Sequence, residues 1–122
     1  MGSMYLAMGQ APVVLGDIGK NLEIMEGLIC EAQRDCEQDI DLIVFPELFI
    51  TGYNLRDNYH GVSEKIPGKG KAQSGMCRLA KTYNIHIATG IVEKAGKSLF
   101  NSAILIGPEG YIGHYRKQFL PN

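Results

Sequence analysis

An α/β fold is the class this sequence predicts, and three observations point to it. Ile40 to Phe45 is an almost unbroken apolar run, the pattern of a strand covered on both faces. Stretches before and after that run place apolar residues three and four apart, the period of an amphipathic helix. The last third of the chain holds three strand-like runs separated by glycine-containing turns. The predicted order is therefore strand, helix, strand, helix and three further strands.

Each element has its own signal. Tyr5 to Gln10 is a short apolar run able to form the first strand. Asp17 is placed to cap a helix whose stripe is Leu22, Met25, Leu28, Ile29, Ala32 and Cys36, with Glu23, Glu26, Arg34 and Glu37 turned away from it. Pro46 has no N–H to give a ladder, so the central strand ends there and leaves Glu47 at its tip. Residues 48–70 show no period and contain Gly52, Gly61, Pro67, Gly68 and Gly70. A connection of that length in a compact domain is usually functional or disordered. The second helix passes through Met76, Leu79, Ala80 and Tyr83. Ile85, Ile87, Thr89, Ile91 and Val92 supply the β-branched residues of the next strand. Glu93 to Lys97 reads as a hairpin turn, Leu99 to Ile106 as a strand, Gly107 to Gly110 as a second turn, and Tyr111 to Tyr115 as the final strand.

Composition narrows the class without naming a function. A chain of 122 residues is the size of one domain. A net charge of −1 gives no electrostatic reason to expect nucleic acid or an acidic membrane as partner. No apolar run approaches the roughly 20 residues needed to cross a bilayer, and no secretory pattern opens the chain. Residues 1–3 read as a remnant of cloning before a native Met4, so the expected domain is 4–122. The three cysteines, Cys30, Cys36 and Cys77, have no framework spacing and fit reduced thiols in a cytoplasmic protein.

Few side chains offer chemistry. A carboxylate at the end of a buried strand, as at Glu47, is expected to be desolvated and shifted up into the range of a general base. The same position also suits a glutamate that faces solvent or caps an amide. Lys117 follows the last strand; a fixed ammonium can stabilise a developing oxyanion, although lone lysines are ordinarily solvated. Tyr53 and Asn54 follow Glu47 closely enough to line a substrate pocket. Cys36 continues the first helical stripe, Cys77 lies beside the second and Cys30 is mid-helix, and all three read as small packing residues. His60, His86 and His114 are 26 and 28 residues apart and form no short metal motif. Gly68-Lys69-Gly70-Lys71 lacks the spacing of a phosphate loop and leads instead into the second helix.

Taken together, Phe45-Pro46-Glu47-Leu48, Thr51-Gly52-Tyr53 and Tyr115-Arg116-Lys117-Gln118-Phe119-Leu120-Pro121 resemble the nitrilase, or carbon–nitrogen hydrolase, superfamily. The resemblance implies a four-layer α–β–β–α sandwich, of which residues 5–122 would form the N-terminal half. It also implies hydrolysis of a non-peptide C–N bond in a small amide or N-carbamoyl substrate. Glu47 would be the general base and acid, and Lys117 the oxyanion stabiliser. A cysteine nucleophile would lie beyond Asn122, leaving this stretch inactive alone. No metal or organic cofactor is implied, and subunits would pair into homo-oligomers. Leu48 after the glutamate and Leu120-Pro121-Asn122 after the lysine resemble the amidase and carbamoylase branches more than true nitrilases. Two alternatives stay open: a truncated or degenerate non-catalytic copy that only packs against partners, and a glutaminase-type domain feeding ammonia to a synthetase. Half a sandwich would leave one apolar sheet face bare, so self-association or poor stability is expected.

Overall fold

Residues 2–53 and 59–117 are described by a computed structural model. Five strands form one mixed sheet in chain order: β1 (Leu6–Met8), β2 (Leu42–Val44), β3 (His86–Ala95), β4 (Ser98–Gly107) and β5 (Gly110–Arg116). The first three are parallel and the last three antiparallel. Helix α1 (Ile18–Asp35) links β1 to β2, while α2 (Tyr59–Val62) and α3 (Lys71–Tyr83) lie between β2 and β3. Both crossovers step the same way across the sheet. Right-handed connections therefore bring α1 and α3 to the same face, where they pack together.

The core lies between this helix layer and the sheet. Met25 and Ile29 of α1 and Met76 and Leu79 of α3 close over Ile43, Ile87, Ile91, Ile104 and Ile106, all essentially without exposure. Burying each such side chain stabilises the fold by roughly 1.5–3 kcal/mol. Alternation sends Leu6, Met8, Val44, Ala88, Gly90, Ala103 and Tyr115 to the opposite face. There Leu6, Met8 and Tyr115 are 55%, 81% and 61% exposed, so that face is apolar and largely uncovered. One helix layer on one sheet corresponds to an α layer and a β layer of the expected sandwich.

The elements follow the sequence with some instructive differences. Asp17 caps α1, its carboxylate accepting from the Lys20 N–H at 2.9 Å. Helix α3 ends with Asn84 in the left-handed region, where its N–H reaches the last carbonyls. The hairpin turn is tighter than the expected 93–97: β3 runs to Ala95, so only Gly96, at φ 61°, and Lys97 separate it from β4. The apolar pattern stops at Val92, but the ladder continues because the Glu93 carboxylate is satisfied by side chains of β4 and β5. Between Leu105 and Ile106 the pairing with β5 slips: Leu105 opposes Gly113 and Ile106 opposes Tyr111, leaving Ile112 as a bulge. Cys36 and Cys77 pack against the core as expected, but Cys30 does not; it sits on the exposed side of α1, outside the stripe of Leu22, Met25 and Ile29.

Candidate active site

The acid is delivered by a tightly tied turn. The Phe45 N–H still bonds to the Ala88 carbonyl at 2.8 Å, after which Pro46 ends the ladder. The Pro46 carbonyl then accepts from Phe49 and from Gly90, both at 3.2 Å, so the chain folds over β3 instead of continuing beside it. That crossing depends on Gly90, where a Cβ would stand 2.6 Å from the Glu47 Cα and 2.7 Å from its carbonyl carbon. Leu48, immediately after the acid, is held at φ 52°, a region costly for a bulky side chain. Gly52 closes the turn at φ 85°, its N–H bonded to the Leu48 carbonyl at 2.8 Å. From below, the fully buried Asn21 bonds to Val14 through both its amide groups and to the Ile50 carbonyl at 2.9 Å.

The cation arrives from the far edge of the sheet. The Lys117 N–H bonds to the Asn101 carbonyl at 2.9 Å, which places its side chain on the uncovered face. Its Nζ lies 3.3 Å from Glu47 Oε1, although 70 residues separate the two. Asn101 thus serves both partners, since its side-chain N–H₂ donates to the same Glu47 oxygen. The Tyr53 hydroxyl also hydrogen-bonds Glu47. Burial, together with that anion, pushes the Tyr53 phenol up to about 12. The pair opens on a cleft of about 360 Å³ walled by Val44, Ala88, Gly90, Ala103 and Tyr115.

Geometry changes one expectation about this acid. Its carboxyl lies below the ordinary carboxylate range, not above it, because hydrogen bonds from Tyr53 and Asn101 and the Lys117 ammonium outweigh the opposing effect of burial. With 38% of the Glu47 side chain and 47% of the Lys117 side chain exposed, water still reaches the pair. Glu47 is thus an ionised acceptor beside a cation, able to take a proton, while the ammonium can face a growing oxyanion.

On the other face, Arg116 turns away from the cleft. Its guanidinium donates to both oxygens of the buried Glu93 carboxylate, at 2.9 and 3.0 Å, and lies 4.1 Å above the Phe100 ring.

Other candidates lie elsewhere. Cys30, Cys36 and Cys77 belong to the helix layer, and none borders the cleft. His60 is on α2 and His86 opens β3, whereas His114 bonds Tyr111 and faces Glu93. Tyr53 sits against Glu47, which itself lines the cleft. Asn54 and the stretch 118–122 fall outside the described residues. No group of three or more potential metal ligands occurs among the described residues. Sequence reading overlooked Gly90, Asn101 and Glu93. A glycine inside a β-branched run was a usable signal, since it marks close backbone approach.

Comparisons with known proteins bear on the family and the fold. The carbon-nitrogen hydrolase family model matches residues 5–121. A nitrilase of Pyrococcus abyssi (strain GE5 / Orsay) is 41% identical over 80% of this chain and 37% of its own length. Nitrilase 3 of Arabidopsis thaliana is 31% identical over 88% of this chain and 35% of its own. The chain thus spans a little over a third of those curated relatives. Among solved structures, an N-terminal amidase superposes with a TM-score of 0.82 at 22% identity, covering 96% of this chain and 28% of that one. Saccharomyces cerevisiae Nit3, of branch 10 of the nitrilase superfamily, gives 0.81 at 22% identity over 93% and 44%. A glutamine-dependent NAD+ synthetase from Acinetobacter baumannii gives 0.74 at 27% identity over 96% and 21%. The likenesses at 22% identity speak for the fold alone, but the family match begins before the first strand and ends past Lys117. The chain belongs to the carbon–nitrogen hydrolase family and has the nitrilase-type α/β fold.

Proposed function

We propose that this chain supplies the general base and the oxyanion-stabilising cation of an enzyme that hydrolyses a non-peptide amide or N-carbamoyl bond. The observation behind it is the Glu47–Lys117 pair, 3.3 Å apart at the mouth of a cleft on the uncovered sheet face. In this reading a cysteine thiol from outside residues 1–122 gives its proton to Glu47 and attacks the carbonyl carbon. Negative charge on the carbonyl oxygen faces Lys117. Glu47 returns the proton to the departing ammonia or amine, leaving a thioester. Water, deprotonated by Glu47, then releases the acid and the thiol.

The experiment is ammonia release by the product of the whole reading frame that encodes this chain, from short aliphatic amides and N-carbamoyl compounds. Turnover falling about 10²–10⁴-fold in Glu47→Gln is expected. Undiminished turnover in that variant, or full turnover by residues 1–122 alone, would refute the assignment. No turnover on any substrate would favour a non-catalytic copy.

A second reading is nitrile hydrolysis, favoured by the name of the 41%-identical Pyrococcus relative. It predicts turnover of nitriles ahead of amides. A glutaminase role, supported by the likeness to the NAD+ synthetase, predicts a preference for glutamine.

A further inference from the structure

Glu93 has no part in the chemistry just described, yet its side chain is only 3% exposed and fully engaged. Ser102 donates to one oxygen at 2.9 Å, Arg116 donates to both, and His114 Nε2 stands 3.4 Å from the other. Burying a carboxylate is costly, and apolar packing of the same volume would stabilise a core at least as well. A planar guanidinium held at two points, however, is fixed in direction as well as in place. Arg116 is the last residue of β5, and strand alternation sends the next side chain to the opposite face. That side chain is Lys117.

We propose that Glu93 is a positioning residue: by gripping Arg116 from the helix side of the sheet, it fixes the end of β5 so that the Lys117 ammonium meets Glu47. The inference rests on the hydrolytic reading for its purpose, but its geometry can be tested without turnover. The bond from the Lys117 N–H to the Asn101 carbonyl sets the height of the strand end. The Arg116 fork, stacked on Phe100, sets its rotation.

The test follows the Glu47 side-chain carboxyl by ¹³C NMR through an acid titration of the 122-residue chain. The substitution Lys117→Met removes the cation and sets the full upward shift of the Glu47 midpoint. In Glu93→Gln two causes have opposite signs. Loss of a nearby negative charge, acting through space, moves the midpoint down, whereas displacement of Lys117 moves it up. The proposal expects an upward shift of roughly half or more of that in Lys117→Met, allowing for screening at a half-exposed pair. Arg116→Lys keeps the charge but loses the fork, so an upward shift is expected there too. This variant decides the matter if Glu93→Gln does not fold. A midpoint unmoved or lowered in Glu93→Gln, or unmoved in Arg116→Lys, would overturn the proposal. Failure of the hydrolytic reading would appear as absent ammonia release and would leave these titrations unchanged.

Discussion

Gly90→Ala should disturb Glu47 from the inside of the sheet. A methyl group at this position would lie 2.6 Å from the Glu47 Cα and closer still to the Leu48 nitrogen, both backbone atoms that cannot swing aside. Ordinary contact requires about 3.4 Å or more, so the turn must lift by close to 1 Å. Overpacking of this kind costs about 1–3 kcal/mol. Lifting also stretches the 3.2 Å bond from Gly90 to Pro46, whose loss adds about 1 kcal/mol. The lower entropy of alanine in the unfolded chain returns about 0.4–1 kcal/mol. The net expectation is a destabilisation of about 2 kcal/mol, read from urea unfolding followed by circular dichroism. Gly27→Ala is the control: Gly27 lies on the exposed side of α1 with open space around its Cβ, and alanine there should stabilise by roughly 0.5–1 kcal/mol. If Gly90→Ala unfolds within about 0.5 kcal/mol of the parent, the argument for a glycine-dependent crossing is wrong.

Four other outcomes are expected. Thr89 has a buried hydroxyl with no hydrogen-bond partner among the described residues, so Thr89→Val should raise stability by about 1 kcal/mol in the same urea assay. The carboxyls of Glu93 and Glu47 are both held below their ordinary value of 4.5, Glu93 chiefly by Arg116 and Glu47 chiefly by Tyr53. Their contribution is therefore present above that value and lost as pH falls below it, so thermal melts should decline more steeply through that window in the parent than in Glu93→Gln. Cys30 is exposed whereas burial pushes the Cys77 thiol up; Cys30 should react first with a disulfide reagent when modification is mapped by mass spectrometry. The bare face bearing Leu6, Met8 and Tyr115 should drive self-association, which light scattering should show to be reduced by Met8→Lys. A compact monomer in the parent chain would count against that last expectation.

Most of the architecture was legible in the sequence because it follows from period and punctuation. The 3–4 spacing of Leu22, Met25 and Ile29 gave α1, Asp17 gave its start, and the apolar run ending at Pro46 gave β2 and the place of the acid. The pairing of Glu47 with Lys117 was reached only through motif resemblance, since no local pattern links residues so far apart. What escaped was set by tertiary partners. The ionisation of Glu47 depends on Tyr53, Asn101 and Lys117, which converge on it only in the folded sheet. Glu93 looks like a turn residue until Ser102, His114 and Arg116 are brought to it across the strands. Cys30 was expected to pack from its place in mid-helix, but it follows Ile29 by one residue and so turns away from the buried side of α1.

The extra residue at Ile112 has a consequence for how this hairpin can vary. With even pairing from the Gly107–Gly110 turn onward, Asn101 would oppose Arg116 and not Lys117, and the guanidinium would point at Glu47. The bulge therefore selects which of two neighbouring cations enters the cleft. A hairpin lengthened or shortened by a single residue must either take up the change before Gly113 or exchange a compact, mobile charge for a broad, planar one. Related sequences should then tolerate single-residue length differences between Gly107 and Gly113, and none between Gly113 and Lys117.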